Sequence, residues 1–146
     1  MKAYLDTSAL IRAWRVGVVP KGITRAHSVA EFFCVLSGPG LLTVIDGKMV
    51  KIPVTPTEAN QAILETFANL KFHDVTGREA LATLTFAAKA GMSGRLIHDW
   101  MHAESAALAG CDTFVTLNAK DFVRILDPKI ELVTPTDYFA RQRNSR

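Results

Sequence analysis

Short apolar runs alternate with helix-period segments along most of this chain, and that alternation restricts the fold more than any other feature. Lys2 to Leu5, Ile23 to Ala26, Lys71 to Val75, Thr113 to Thr116 and Ile130 to Val133 each read as a short strand rich in β-branched, aromatic or aliphatic residues. Between them lie segments with apolar residues at helical spacing, such as Ala59, Ile63, Phe67 and Leu70. Strands and helices that alternate in this way predict a three-layer α/β/α domain around a short central parallel sheet. The 146 residues fit one domain, 1–146, and no repeat, low-complexity tract or linker divides it. One stretch breaks the alternation. Leu42 to Ile45 and Met49 to Ile52 flank Asp46-Gly47-Lys48, a turn signal that predicts an inserted β-hairpin over 41–53.

Composition narrows the class of protein. Hydrophobic residues at 49% and charged residues at 21% are those of an ordinary globular domain. No apolar run approaches the ~20 residues of a membrane helix. The chain enters a strand at once, without the pattern of a signal peptide. Cys34 and Cys111 sit among apolar residues without metal-ligand spacing, as reduced core cysteines do. Together these features predict a cytoplasmic protein without membrane contact. A net charge of +3, a pI near 9.0 and a basic C-terminal tail over 141–146 favour a polyanionic partner.

In an open α/β sheet, chemistry gathers at the carboxyl ends of the strands. Asp6 follows the first strand and precedes the helical run from Ser8 to Val16, so it either caps that helix or stands in an active site. Ser28 and Glu31 match a capping box, which gives Glu31 a structural role to set beside a functional one. Asp99 lies early in a helix from Arg95 to Ala109, flanked by Ile97 and Trp100. Asp46, Asp127 and Asp137 fall at a hairpin turn, before a proline and at a helix start. Carboxylates converging from three distant segments repel one another, and a hard cation such as Mg²⁺ relieves that repulsion. Such a cation can activate water and bear charge developing on a phosphate. A competing constellation is His98-Asp99-Trp100-Met101-His102, whose histidines at i and i+4 are arranged as in the H-E-x-x-H zinc motif. On that reading the chain is a zinc hydrolase. No G-x-S-x-G elbow supports a serine triad.

Four blocks carry a family resemblance. They are Tyr4-Leu5-Asp6-Thr7-Ser8-Ala9-Leu10, His27-Ser28-Val29-Ala30-Glu31-Phe32, the run from Gly94 to Trp100, and the run from Ala109 to Phe122. In this order and spacing, across nearly the whole chain, the sequence resembles a PIN-domain ribonuclease, specifically a VapC-type toxin of a bacterial toxin–antitoxin pair. The resemblance implies a Mg²⁺- or Mn²⁺-dependent endoribonuclease whose metal is held by Asp6, Glu31 and Asp99. The family's fourth acidic position falls at Asn118, an amide that brings no charge. Asp121 either supplies the missing charge or serves at the surface, and Thr7, Ser8 and Thr116 are expected as hydroxyls behind the acids. The resemblance further implies an RNA substrate such as tRNA or ribosomal RNA, products with 5′-phosphate and 3′-hydroxyl ends, a cognate antitoxin, and a homodimer or toxin–antitoxin hetero-oligomer. The alternative is a catalytically weakened module that binds RNA or protein, with Asn118 as the mark of lost activity. Arg12, Arg15, Lys21 and Arg25 are near the acids in sequence and are candidates to steer the phosphate backbone. Trp14 and Phe33 are candidates for an antitoxin groove along the first three helices.

Overall fold

Strand β1, Ala3–Leu5, is buried on both faces and forms the axis of the domain. In the computed structural model, which describes residues 1–38 and 40–144, β1 pairs in parallel with β2 (Gly22–Thr24) on one side and β6 (Thr113–Val115) on the other. Strand β5 (Leu70–Phe72) extends the sheet beyond β2, and β7 (Glu131–Val133) extends it beyond β6. The order β5-β2-β1-β6-β7 is wholly parallel, so every crossover carries a helix. Gly22 has a positive φ of 146°, and a Cβ there would come within 2.4 Å of Leu5 and 2.9 Å of the Ala3 carbonyl oxygen. Only glycine lets β2 approach β1 so closely.

The alternation of side chains along the strands splits the core in two. Ala3, Leu5, Val115 and Val133 point to a layer formed by helices α1 (Thr7–Arg15), α2 (His27–Ser37), α3 (Pro56–Thr66) and α7 (Pro135–Asn144). Tyr4, Ile23 and Phe114 point the other way, toward α5 (Leu96–Leu108) and α6 (Ala119–Phe122), with α4 (Gly77–Lys89) packed on α5. This is the expected three-layer α/β/α arrangement. Tyr4 and Phe114, paired in register, stack with ring centroids 5.2 Å apart.

The 41–53 insertion is a hairpin, β3 (Leu41–Ile45) and β4 (Lys48–Ile52), antiparallel and separate from the main sheet. Asp46 and Gly47 take positive φ angles of 50° and 74°, the conformation a two-residue turn requires. Its outward residues Leu42, Val44 and Met49 are exposed, and Arg15 ties it to α1 by donating to the Leu42 carbonyl at 2.8 Å.

One expectation changes. The tail is not free from residue 141, because α7 runs to Asn144 and Arg141 makes a two-pronged bond to Glu131 at 3.0 and 3.1 Å. Ser145 and Arg146 of that tail, and Pro39, lie outside the described residues. After β6 the chain is helical only over Ala119–Phe122 before it reaches β7. No helix among the described residues is long and apolar enough to cross a membrane.

Candidate acidic site at the carboxyl edge of the sheet

The chain leaves β1 toward β2 on one side and later returns to β6 on the other, so the sheet reverses its winding between β1 and β6. In a parallel sheet that reversal opens a crevice beyond the carboxyl ends of the strands. Asp6 ends β1, and Thr116, Leu117 and Asn118 follow β6, so these residues flank the crevice directly. Helix α2 leaves β2 at the same edge, which places Glu31 there. Helix α5 runs back down to β6, which puts its first turn, with Asp99, at that edge too. The topology alone therefore assembles Asp6, Glu31, Asp99 and Asn118.

Asp6 serves both readings offered by its sequence. Its Oδ1 accepts from the Ala9 amide at 2.9 Å and so caps α1. The same oxygen accepts from the Ser8 hydroxyl at 2.7 Å, and Oδ2 accepts from the Thr116 hydroxyl at 2.6 Å. A carboxylate has about four lone-pair positions, so Oδ2 keeps one for another partner. Asp6 is only 4% exposed, and burial pushes its carboxyl above the ordinary range against the pull of the Thr116, Ser8 and Ala9 bonds.

Ser8 and Thr116 form a clamp. The Ser8 hydroxyl donates to Asp6 and accepts from the Leu117 amide at 3.0 Å, while the Thr116 hydroxyl donates to Asp6 and accepts from the Asn118 amide at 2.9 Å. The two hydroxyls thus fasten the loop after β6 to the carboxylate after β1. Thr116→Val is expected to leave a buried acceptor and the Asn118 amide unmatched, costing about 1–3 kcal/mol of stability. Chemical denaturation of the two proteins side by side checks the value. Thr7, the third expected hydroxyl, departs from this pattern. At the first position of α1, its Oγ1 is buried without a hydrogen-bond partner among the described residues.

Glu31 does not form the capping box its spacing suggested. Helix α2 starts at His27 on an Ala26 cap that uses no side chain, so Ser28 already lies within the helix. The Ser28 hydroxyl is bonded instead to that of Thr24 at 3.0 Å, and Thr24 is bonded to the Leu5 carbonyl at 2.9 Å. The boxes form elsewhere, at Thr55/Glu58 and Thr76/Glu79. Glu31 is left for other work. Its Oε1 meets the Nε2 of His102 at 3.2 Å. Burial acts to raise its carboxyl, but the His102 bond and the neighbouring His102, His27 and Arg25 side chains outweigh burial and hold it below the usual range.

Asp99, half-buried in the first turn of α5, is pushed up by burial. The neighbouring His102 opposes that shift, and the charges of Asp121, Asp6 and Glu31 reinforce it. Asp121 therefore belongs to the acidic neighbourhood and is not a remote surface group. Its amide also accepts a place in the loop by donating to the Asn118 carbonyl at 2.9 Å. Asn118 is exposed at the start of α6, and its side chain makes no capping bond.

The histidine pair of the zinc reading separates. His102 is buried with both ring nitrogens engaged, Nδ1 with the Tyr4 hydroxyl at 2.8 Å and Nε2 with Glu31. His98 is exposed and stacks on His27, with ring centroids 5.9 Å apart. Lys21 is also displaced. It precedes β2 and lines a cavity with Met1, Lys2 and Lys71 at the amino edge of the sheet, the end opposite the acids. Arg12 and Arg15 line a separate groove of about 750 Å³ with Trp14, Leu41, Ile52 and Val54. Phe33 packs against the core as a partly buried side chain. Of the four candidate phosphate-steering cations, Arg25 is the one whose charge reaches Glu31.

The donor set has the chemistry a hard divalent cation takes, carboxylate oxygens with an amide beside them. The charges of Asp6, Glu31 and Asp121 add to the upward shift of Asp99, which is the repulsion a cation relieves. Among the described residues, no three His, Cys, Asp or Glu side chains are gathered into a ready-made cation site. No protein-family model and no curated protein matches the chain.

Proposed function

We propose that this protein is a divalent-cation-dependent endoribonuclease of the PIN-domain, VapC type, acting as the toxin of a toxin–antitoxin pair. The observation that supports it most is that Asp6, Glu31 and Asp99 share the carboxyl edge of the sheet at its switch point, near enough for the charges of Asp121, Asp6 and Glu31 to act on Asp99. Asp6, Glu31 and Asp99 would hold Mg²⁺ or Mn²⁺, with Asn118 alongside. When bound, that ion supplies positive charge to a phosphate and acidity to a water.

The rest falls to the chain's own residues. The Ser8–Thr116 clamp fixes the Asp6 carboxylate and the Asn118 loop relative to each other. Arg25, whose charge acts on Glu31, would be the cation for the RNA backbone. Arg25→Ala is expected to weaken binding of single-stranded RNA and to reduce the salt dependence of log K by about one phosphate contact, a slope change of roughly 0.7. Titrations at several salt concentrations check it. An unchanged slope would remove Arg25 from the interface.

Sequence-specific RNA enzymes act on loops whose bases can be splayed out, and a structured RNA such as tRNA or ribosomal RNA presents them. Incubation of purified protein with total RNA and Mg²⁺, followed by mapping of the cut ends, tests this reading. The expected result is cleavage in a loop with 5′-phosphate and 3′-hydroxyl ends. Ends bearing a 2′,3′-cyclic phosphate would contradict it, because they arise from attack by the RNA's own 2′-hydroxyl and need no activated water. The proposed partners beside RNA are an antitoxin and a second copy of the chain. The apolar groove beside Trp14, rimmed by Arg12, Arg15 and Glu58, has the character to seat an apolar antitoxin segment flanked by charge.

A further inference from the structure

Beneath the acidic site a buried polar chain runs from the sheet to Glu31. Tyr4, fully buried in the central strand, bonds His102 at Nδ1 over 2.8 Å, and His102 Nε2 reaches Glu31 Oε1 at 3.2 Å. Its members lie on three elements, β1, α5 and α2, and only its last member opens to solvent. The side chain of His102 is 4% exposed and that of Glu31 28%.

We propose that His102 is the positioning residue of the acidic site, holding the Glu31 carboxylate in place from below while the Tyr4 hydroxyl fixes which ring nitrogen carries the proton. This rests on the reading of Glu31 as a cation ligand. The roles in the chain follow from the inventory of donors and acceptors. An ionised carboxylate only accepts, so Nε2 must carry the proton that meets Glu31. In the neutral ring Nδ1 is then bare and accepts from the Tyr4 hydroxyl 2.8 Å away. Each member is satisfied, as a buried polar network requires.

The geometry also separates a positioning role from simple core packing. Glu31 has no capping duty in α2, so the His102 bond is what restrains its flexible side chain. His27 Nε2 is 3.9 Å from the same oxygen, too far for a hydrogen bond. With Oε1 engaged by His102, Oε2 makes no hydrogen bond among the described residues and remains available to a cation. Carboxylates that bind metal ions are generally oriented by such partners, whose loss costs about 10–100-fold in metal affinity or activity.

The test is Mn²⁺ binding to the full chain without RNA, read from the electron paramagnetic resonance of the free ion. It compares wild type, His102→Leu, His102→Gln and Tyr4→Phe, with thermal melting of each metal-free protein as the folding control. His102→Leu is expected to weaken Mn²⁺ binding by about 10–100-fold. His102→Gln, whose amide can still donate to Glu31, is expected to recover most of that loss. Tyr4→Phe keeps the aromatic stack, so it remains informative if His102→Leu does not fold. Nitrogen-15 spectra of the wild-type imidazole supply a readout without metal, with the proton expected on Nε2 and Nδ1 bare. Mn²⁺ bound equally by wild type and His102→Leu would overturn the positioning role and leave the cation site standing. No Mn²⁺ bound by wild type would overturn both. A neutral ring protonated on Nδ1 would overturn the bonding chain itself.

Discussion

Asp6→Asn is expected to abolish RNA cleavage while leaving the metal-free protein at least as stable as wild type. The two effects have different origins. Asparagine keeps an oxygen for the Ala9 and Ser8 donors, and its amide nitrogen can donate to Thr116 once that hydroxyl rotates. What it loses is the negative charge. In the native protein that charge is a liability, because burial holds the Asp6 carboxyl above its ordinary range. The sign follows by linkage. A carboxyl whose folded value lies above its unfolded value favours folding when protonated, so its contribution is present at low pH. That contribution is lost as pH rises from the ordinary aspartate range through the raised folded value. At neutral pH the neutral amide removes this penalty. Cleavage should fall by more than about 100-fold, since even the partners behind a metal ligand cost 10–100-fold. Thermal melting across pH 4–8, beside an RNA cleavage assay, checks both halves. A variant that melts lower and cleaves normally would reduce Asp6 to a helix cap.

Asp99→Asn should lose cleavage by a similar factor, for a reason rooted in the cluster more than in the residue. Among the described residues, Asp99 makes no side-chain hydrogen bond comparable to those of Asp6. It stands in the first turn of α5, where a helix favours negative charge, yet burial and the charges of Asp121, Asp6 and Glu31 raise its carboxyl. Removing one charge from this group relieves repulsion, so the metal-free protein should hold its melting temperature. A saturating divalent cation should raise the melting temperature of wild type by linkage and leave that of Asp99→Asn nearly unmoved. Asp121→Asn should fall between them, because it takes away a neighbouring charge but leaves the proposed ligands intact. Equal cation-induced shifts in wild type and Asp99→Asn would exclude Asp99 as a ligand.

Most of the architecture was legible because the features that fix it are local. The strand–helix alternation predicted the parallel sheet, and Asp46-Gly47 predicted the hairpin from the positive φ its turn needs. The candidate residues were legible as a group, since order along a doubly wound sheet places the acids Asp6, Glu31 and Asp99, with the Asn118 amide, at one edge. The errors arose where a tertiary partner outbid a local pattern. Ser28 and Glu31 match a capping box as well as Thr55 and Glu58 do, but Thr24 takes the Ser28 hydroxyl and His102 takes Glu31. Lys21 is close to Arg25 in sequence, yet a strand lies between them and carries them to opposite ends of the sheet. His102 was visible only as half of an i, i+4 histidine pair. Its true neighbour, Tyr4, is 98 positions away, and spacing within one helix cannot show it.

The most direct test of the account is cleavage of a loop-containing RNA by purified protein in Mg²⁺, then in excess EDTA, then after Mg²⁺ is restored. The account predicts cutting, arrest and recovery for wild type, and none at any Mg²⁺ concentration for Asp6→Asn. Cleavage that continues in EDTA, or that proceeds equally in Asp6→Asn, would contradict a cation-dependent nuclease built on these acids.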